Sequence, residues 1–134
     1  VKVQKFIAPY NKFDKPTLQN SWKKSGVYLI KEDDKIVYVG HSKSNLYKTM
    51  YRHFQKWDSH QTRATYKAKG NKRKKYKVRI ILTTPKQAER LERVLCKKYN
   101  PRDMKYKYLQ LELDLKDKQL EKDYFIQPVE KAPF

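Results

Sequence analysis

Gly26-Val27-Tyr28-Leu29-Ile30 and, after a short polar break, Ile36-Val37-Tyr38-Val39-Gly40 are the two runs whose reading decides the fold. Both are rich in β-branched and aromatic residues, and Asp33-Asp34 between them is turn chemistry, so they read as a hairpin of strands Val27–Lys31 and Lys35–Val39. Alternation puts Tyr28 and Ile30 on one face of the first strand, and Ile36, Tyr38 and Gly40 on one face of the second. A loop with an odd number of residues brings Tyr28 and Tyr38 to the same face. An even loop separates them, because a one-residue slip turns a strand over.

Working outward, a helix follows the hairpin. Ser42, Ser44 or Asn45 can cap it, and Leu46, Met50, Phe54 and Trp57 recur at helical spacing as its buried stripe. At about 100° per residue, His53 falls at the edge of that stripe beside Leu46. Thr49 comes next round the cylinder, and Arg52 lies on the flank beyond it. From His60 to Lys77 the chain is intensely basic, with Lys72, Arg73, Lys74, Lys75 and Lys77 its densest part. Runs of this kind are commonly solvated faces. Here the run sits between a helix and a strand, which suits a surface that tracks phosphates, and Lys48 on the helix adds to it.

Lys77 to Thr83 reads as a third strand, with Val78, Ile80 and Leu82 on one face and Ile81 on the other. Thr84-Pro85 ends it and opens a helix running to Tyr99, with Pro101 just beyond. Ala88, Leu91, Leu95 and Tyr99 form that helix's stripe, and Glu92 lies inside it. A carboxylate facing a core costs several kcal/mol unless a cation meets it, so Glu92 is expected to face an Arg, a Lys or a divalent metal ion. Residues 1–25 read as an irregular arm with a short helix from Pro16 to Trp22, packed down by Phe6, Tyr10, Phe13 and Trp22. After residue 101 a strand, Tyr108 to Leu113, and a short helix, Asp117 to Phe125, are expected.

Composition narrows the function. The chain has 134 residues, 35% of them charged, and a net charge of +19. Its length suits one domain. So lopsided a balance works against the folded state through self-repulsion and points to a polyanionic partner, nucleic acid before a membrane surface. One cysteine, Cys96, excludes an internal disulfide and a cysteine-rich zinc site. With three glycines, a backbone cradle for a nucleotide cofactor is excluded as well. No apolar run spans a bilayer and no signal-peptide core precedes the hairpin, so the expected location is cytoplasmic. Val1 as first residue suggests a processed initiator methionine or a trimmed chain.

Gly26-Val27-Tyr28 followed by Tyr38-Val39-Gly40 resembles the two signature strands of the GIY-YIG endonucleases. The stretch N-L-Y-K-T-M-Y-R-H-F is similar to their basic helix, and Leu91-Glu92 with Leu95, Lys97-Lys98-Tyr99 and Pro101 is similar to their glutamate helix. The resemblance implies an α+β fold, a small three-stranded antiparallel sheet flanked by helices, with residues 26–101 as the nuclease core. Residues 1–25 then form the arm and 102–134 a C-terminal strand and helix extension. It also implies hydrolysis of a nucleic-acid phosphodiester, DNA favoured over RNA, with Mg²⁺ or Mn²⁺ and no small-molecule cofactor. Glu92 would bind the metal, Tyr28 would activate water, Tyr38 would position water or phosphate, and His53 would match the residue closing the helix motif. Two positions depart from the pattern. The family's arginine aligns with Thr49, which leaves Arg52, Lys48 or the 72–77 run to supply a cation, and an asparagine aligns with Met104. The alternatives are a weak or inactive relative that only binds nucleic acid, and a binder of anionic lipid or acidic protein. Oligomeric state is left open.

Overall fold

The hairpin forms: β2 (Gly26–Glu32) and β3 (Lys35–Ser42) pair antiparallel around Asp33-Asp34, in a computed structural model that describes residues 2–54, 75–104, 113–126 and 128–129. The loop is even, since Glu32 pairs with Lys35 and Lys31 with Ile36. By itself that register would place Tyr38 opposite Leu29, on the face away from Tyr28. The register shifts between Ile30 and Lys31, however, so that Ile30 pairs with Tyr38 and Tyr28 with Gly40. Val37 is the extra residue of a β-bulge. The bulge, and not the loop length, returns the two tyrosines to one face.

β1 (Lys2–Val3), β4 (Tyr76–Leu82), β2 and β3 make a sheet in that order, so the expected three strands are four. The addition has a physical reason. β4 alone would leave a row of backbone groups open on its outer side, and the arm covers them through Lys2↔Leu82, Val3↔Ile81 and the Ile7↔Val78 bridge. The arm is then fastened by one hydroxyl. Tyr51 Oη accepts from Thr17 N at 3.0 Å and Leu18 N at 3.1 Å and donates to Pro9 O at 2.6 Å. Burial pushes that phenol up to about 12, which keeps it a donor. The expected helix from Pro16 to Trp22 is a single 3₁₀ turn, Gln19–Ser21. Phe13, expected to pack, is 69% exposed; Asn11 Oδ1 holds its backbone in a turn that aims it outward, and Leu18 fills the core instead.

The sheet has two covered faces. Val27, Leu29, Val39 and Ile81 meet α2 (Pro85–Tyr99) and α3 (Leu115–Ile126), whereas Tyr28, Ile30, Val78 and Ile80 meet α1 (Leu46–Tyr51). α2 opens with a reciprocal capping box between Thr84 and Gln87 and ends at left-handed Asn100, ahead of Pro101. α3 begins two residues earlier than expected because Asp114 and Asp117 exchange hydrogen bonds at its first turn. The fully buried Asp117 also takes Arg93 at 2.8 Å and Arg90 at 3.2 Å, which fixes α3 to α2. Residues 55–74, with Trp57 and the basic run from His60 to Lys74, and the expected strand Tyr108 to Leu113, apart from Leu113 itself, lie outside the described residues.

At the hairpin tip Glu32 accepts from Arg102 at 2.7 Å and Tyr76 at 3.0 Å, with Lys75 3.2 Å away. These partners, Arg102 first, outweigh burial and hold its carboxyl down to about 2. A lowered carboxylate stabilises the fold above its ordinary value of 4.5 and stops doing so as pH falls toward about 2. Arg102→Ala is therefore expected to cost about 0.5–1 kcal/mol at pH 6, discounted for the exposure of the arginine. In thermal melts the gap to wild type should close as the pH is lowered through that window. A gap that stays constant would count against this account.

Candidate active site

Tyr28 stands on the central strand β2 with its ring laid over β3. A Cβ built on Gly40 would lie 2.3 Å from both Cζ and Oη of Tyr28, so the bare backbone at residue 40 is what admits the phenol. Gly26 has a similar necessity, since a Cβ there would lie 2.1 Å from the Ile81 carbonyl oxygen. The Tyr28 hydroxyl is 2.8 Å from His53 Nε2. Tyr38 lies nearly parallel to Tyr28 at 6.1 Å between ring centroids, and His53 sits 4.3 Å from the Tyr38 ring. Three of the expected side chains thus share one aromatic cluster, with Tyr28 and His53 buried and Tyr38 partly buried.

His53 reaches it because the helix changes pitch. Asn45 caps α1 by accepting from Lys48 N, and the chain is α-helical only to Tyr51 before tightening into a 3₁₀ turn at Arg52–Phe54. The tighter turn advances each residue by about 120°. That carries His53 from the expected edge of the stripe to full burial, at 1% exposure. Arg52, the first residue of the turn, is exposed. Thr49, at the position of the family arginine, is half-buried, and its hydroxyl donates back to Asn45 O at 3.3 Å.

Glu92 comes from the other face. It is 2% exposed on α2. His41 Nδ1 lies 3.2 Å from Glu92 Oε2, yet that nitrogen is buried and makes no hydrogen bond. Helical spacing and motif order do not single out His41. Alternation along β3 was the available signal, since it places residue 41 with Val39 on the face that meets α2.

β3 is an edge strand of the sheet, and there the two faces meet. Tyr38 packs against both core clusters. The Tyr28 hydroxyl lies over Gly40, and the Glu92 carboxylate lies beside His41. Consecutive Cα atoms are only about 3.8 Å apart, so the phenol and the carboxylate flank the same two residues from opposite sides. Behind this strand, Met104 is buried and its Sδ accepts from Val39 N at 3.2 Å. The position where an asparagine is expected therefore supports the strand's backbone.

The donor chemistry suits a divalent ion that keeps most of its own water. Among the described residues no group of three or more His, Cys, Asp or Glu side chains is placed to hold a metal. One buried carboxylate, completed by water and substrate phosphate, is a common arrangement for Mg²⁺. Of the expected nucleic-acid contacts, Lys48 is exposed with Nζ 5.3 Å above the Trp22 ring, and Lys77 is exposed on β4. Lys75 is engaged with Glu32, while Lys72, Arg73 and Lys74 lie outside the described residues. No helix among the described residues is long and apolar enough to cross a membrane.

A family model described as the GIY-YIG catalytic domain matches residues 24–107, more than half of the chain. Neither a curated protein nor a solved structure matches it.

Proposed function

The chain belongs to the GIY-YIG family, and from that premise we propose that it is a metal-dependent endonuclease that hydrolyses DNA phosphodiester bonds in the cytoplasm. The observation that carries the proposal is that a histidine-bonded phenol, Tyr28, and a buried carboxylate, Glu92, lie beside adjacent residues of β3, Gly40 and His41 respectively.

Glu92 holds a Mg²⁺ or Mn²⁺ ion, which when bound supplies positive charge where the phosphate gathers negative charge. Tyr28 takes the proton of the attacking water. A phenol is by nature a poor base near neutral pH, and His53 Nε2, 2.8 Å from the hydroxyl, can take the phenol's proton as Tyr28 takes that of water when the imidazole carries its own proton on Nδ1. Tyr38, stacked alongside, orients water or phosphate, and its packing against both clusters limits its freedom to tilt. Arg52 supplies the guanidinium for the nonbridging oxygens. The surplus of positive charge, with Lys48 and Lys77 among the exposed contributors, holds the backbone of the substrate without reading its sequence.

A second reading is favoured by Thr49, which stands where the family arginine aligns: the domain binds nucleic acid and does not cut it. One assay separates the two. Supercoiled plasmid incubated with Mg²⁺ or Mn²⁺ should be nicked, EDTA should stop nicking, and an RNA of equal length should be cut more slowly. Binding should fall steeply as salt is raised and be indifferent to EDTA. Tight, salt-sensitive binding with no metal-dependent nick would leave the second reading standing.

A further inference from the structure

We infer that His41 is a second protein ligand of the divalent ion, and that it makes the centre bind Mn²⁺ in preference to Mg²⁺. The inference rests on Glu92 being the ion-binding carboxylate. A buried imidazole nitrogen beside a buried carboxylate would ordinarily settle into an in-line hydrogen bond. His41 Nδ1 does not, although Glu92 Oε2 is only 3.2 Å away. Two donor atoms at that separation have the spacing of neighbouring ligands on a six-coordinate ion, about 3 Å for bonds of about 2.1 Å. An ion held by both would satisfy the nitrogen, which otherwise makes no hydrogen bond.

The placement follows from the backbone. His41 pairs with Val27 across β2 and β3, which fixes the direction of its side chain, and it is one residue from the glycine beneath the Tyr28 hydroxyl. The ring as a whole is 25% exposed, so the His41 side chain reaches from the core to the solvent, although Nδ1 itself is buried. An imidazole ligand also changes which ion is favoured. Mg²⁺ prefers oxygen donors and gains little from nitrogen, whereas Mn²⁺ and the later transition ions gain more.

The test is Mn²⁺ and Mg²⁺ binding to the full chain without nucleic acid, read by calorimetry and by pulsed electron paramagnetic resonance of the Mn²⁺ form. Wild type should show a nitrogen coupling that shifts when its histidines carry ¹⁵N. His41→Ala, checked for fold by circular dichroism, should lose that coupling. It should bind Mn²⁺ about tenfold or more weakly, with less than about a threefold change for Mg²⁺. Equal Mn²⁺ affinity in His41→Ala and wild type overturns the inference. So does a nitrogen coupling that survives the substitution, or an absence of coupling in wild type, which needs no variant to observe. Glu92→Gln separates the two levels. If it binds Mn²⁺ as wild type does, or if wild type binds none at millimolar concentration, the role given to Glu92 falls as well. If Glu92→Gln alone loses the ion, only the role of His41 falls.

Discussion

Glu92→Gln is expected to slow DNA cleavage by more than about a hundredfold while leaving DNA affinity within about a factor of two. Glutamine has nearly the shape of glutamate, so packing in the α2 stripe around Leu91 and Leu95 is kept. What disappears is the charge, and with it the reason for the ion to occupy a site of only 2% exposure. Glutamine also keeps a carbonyl oxygen where the carboxylate accepts, so the fold should be retained, as circular dichroism would show. A loss of activity combined with a retained fold is the signature of a functional residue. Cleavage within about threefold of wild type would mean that Glu92 is neutralised inside the protein and serves only the fold.

Gly40→Ala is expected to be nearly as damaging by a different route. The added methyl would lie 2.3 Å from the tip of the Tyr28 ring. That ring has little room to withdraw, being 1% exposed and bonded to His53 at 2.8 Å. Forcing such a shift costs about 1–3 kcal/mol in a packed core. A hydroxyl displaced by about 1 Å from its working position can lose about a hundredfold in rate. Thermal melts and single-turnover cleavage on the same preparation check both parts. A variant with wild-type activity would show that the phenol's seat over residue 40 is immaterial.

Much of the fold was legible because the relevant signals are local. β-branched runs around Asp33-Asp34, the Thr84-Pro85 helix start and the Asn100-Pro101 stop all act within a few residues. The burial of Glu92 followed from helical spacing alone. The shared face of Tyr28 and Tyr38 did not follow, since it depends on a bulge at Val37 that loop length would have contradicted. The inward turn of His53 was likewise hidden, because a switch to 3₁₀ pitch at Arg52 leaves no mark in an apolar pattern. The fourth strand leaves no sequence signal because it has two residues and depends on the open edge of β4, a tertiary circumstance. His41 was hidden for a related reason. Its significance lies in a contact with a residue 51 positions away, which no local pattern encodes.

The central claim is that side chains on opposite faces of the sheet serve one centre at the edge strand. A double-mutant cycle on single-turnover cleavage tests it most directly, with Tyr28→Phe, Glu92→Gln and the pair together at saturating DNA. Groups that act as a unit are strongly non-additive. Each single variant is therefore expected to lose more than about a hundredfold, and the double variant to be about as slow as the slower single one. Losses that multiply, or a Tyr28→Phe enzyme as fast as wild type, would contradict a shared centre.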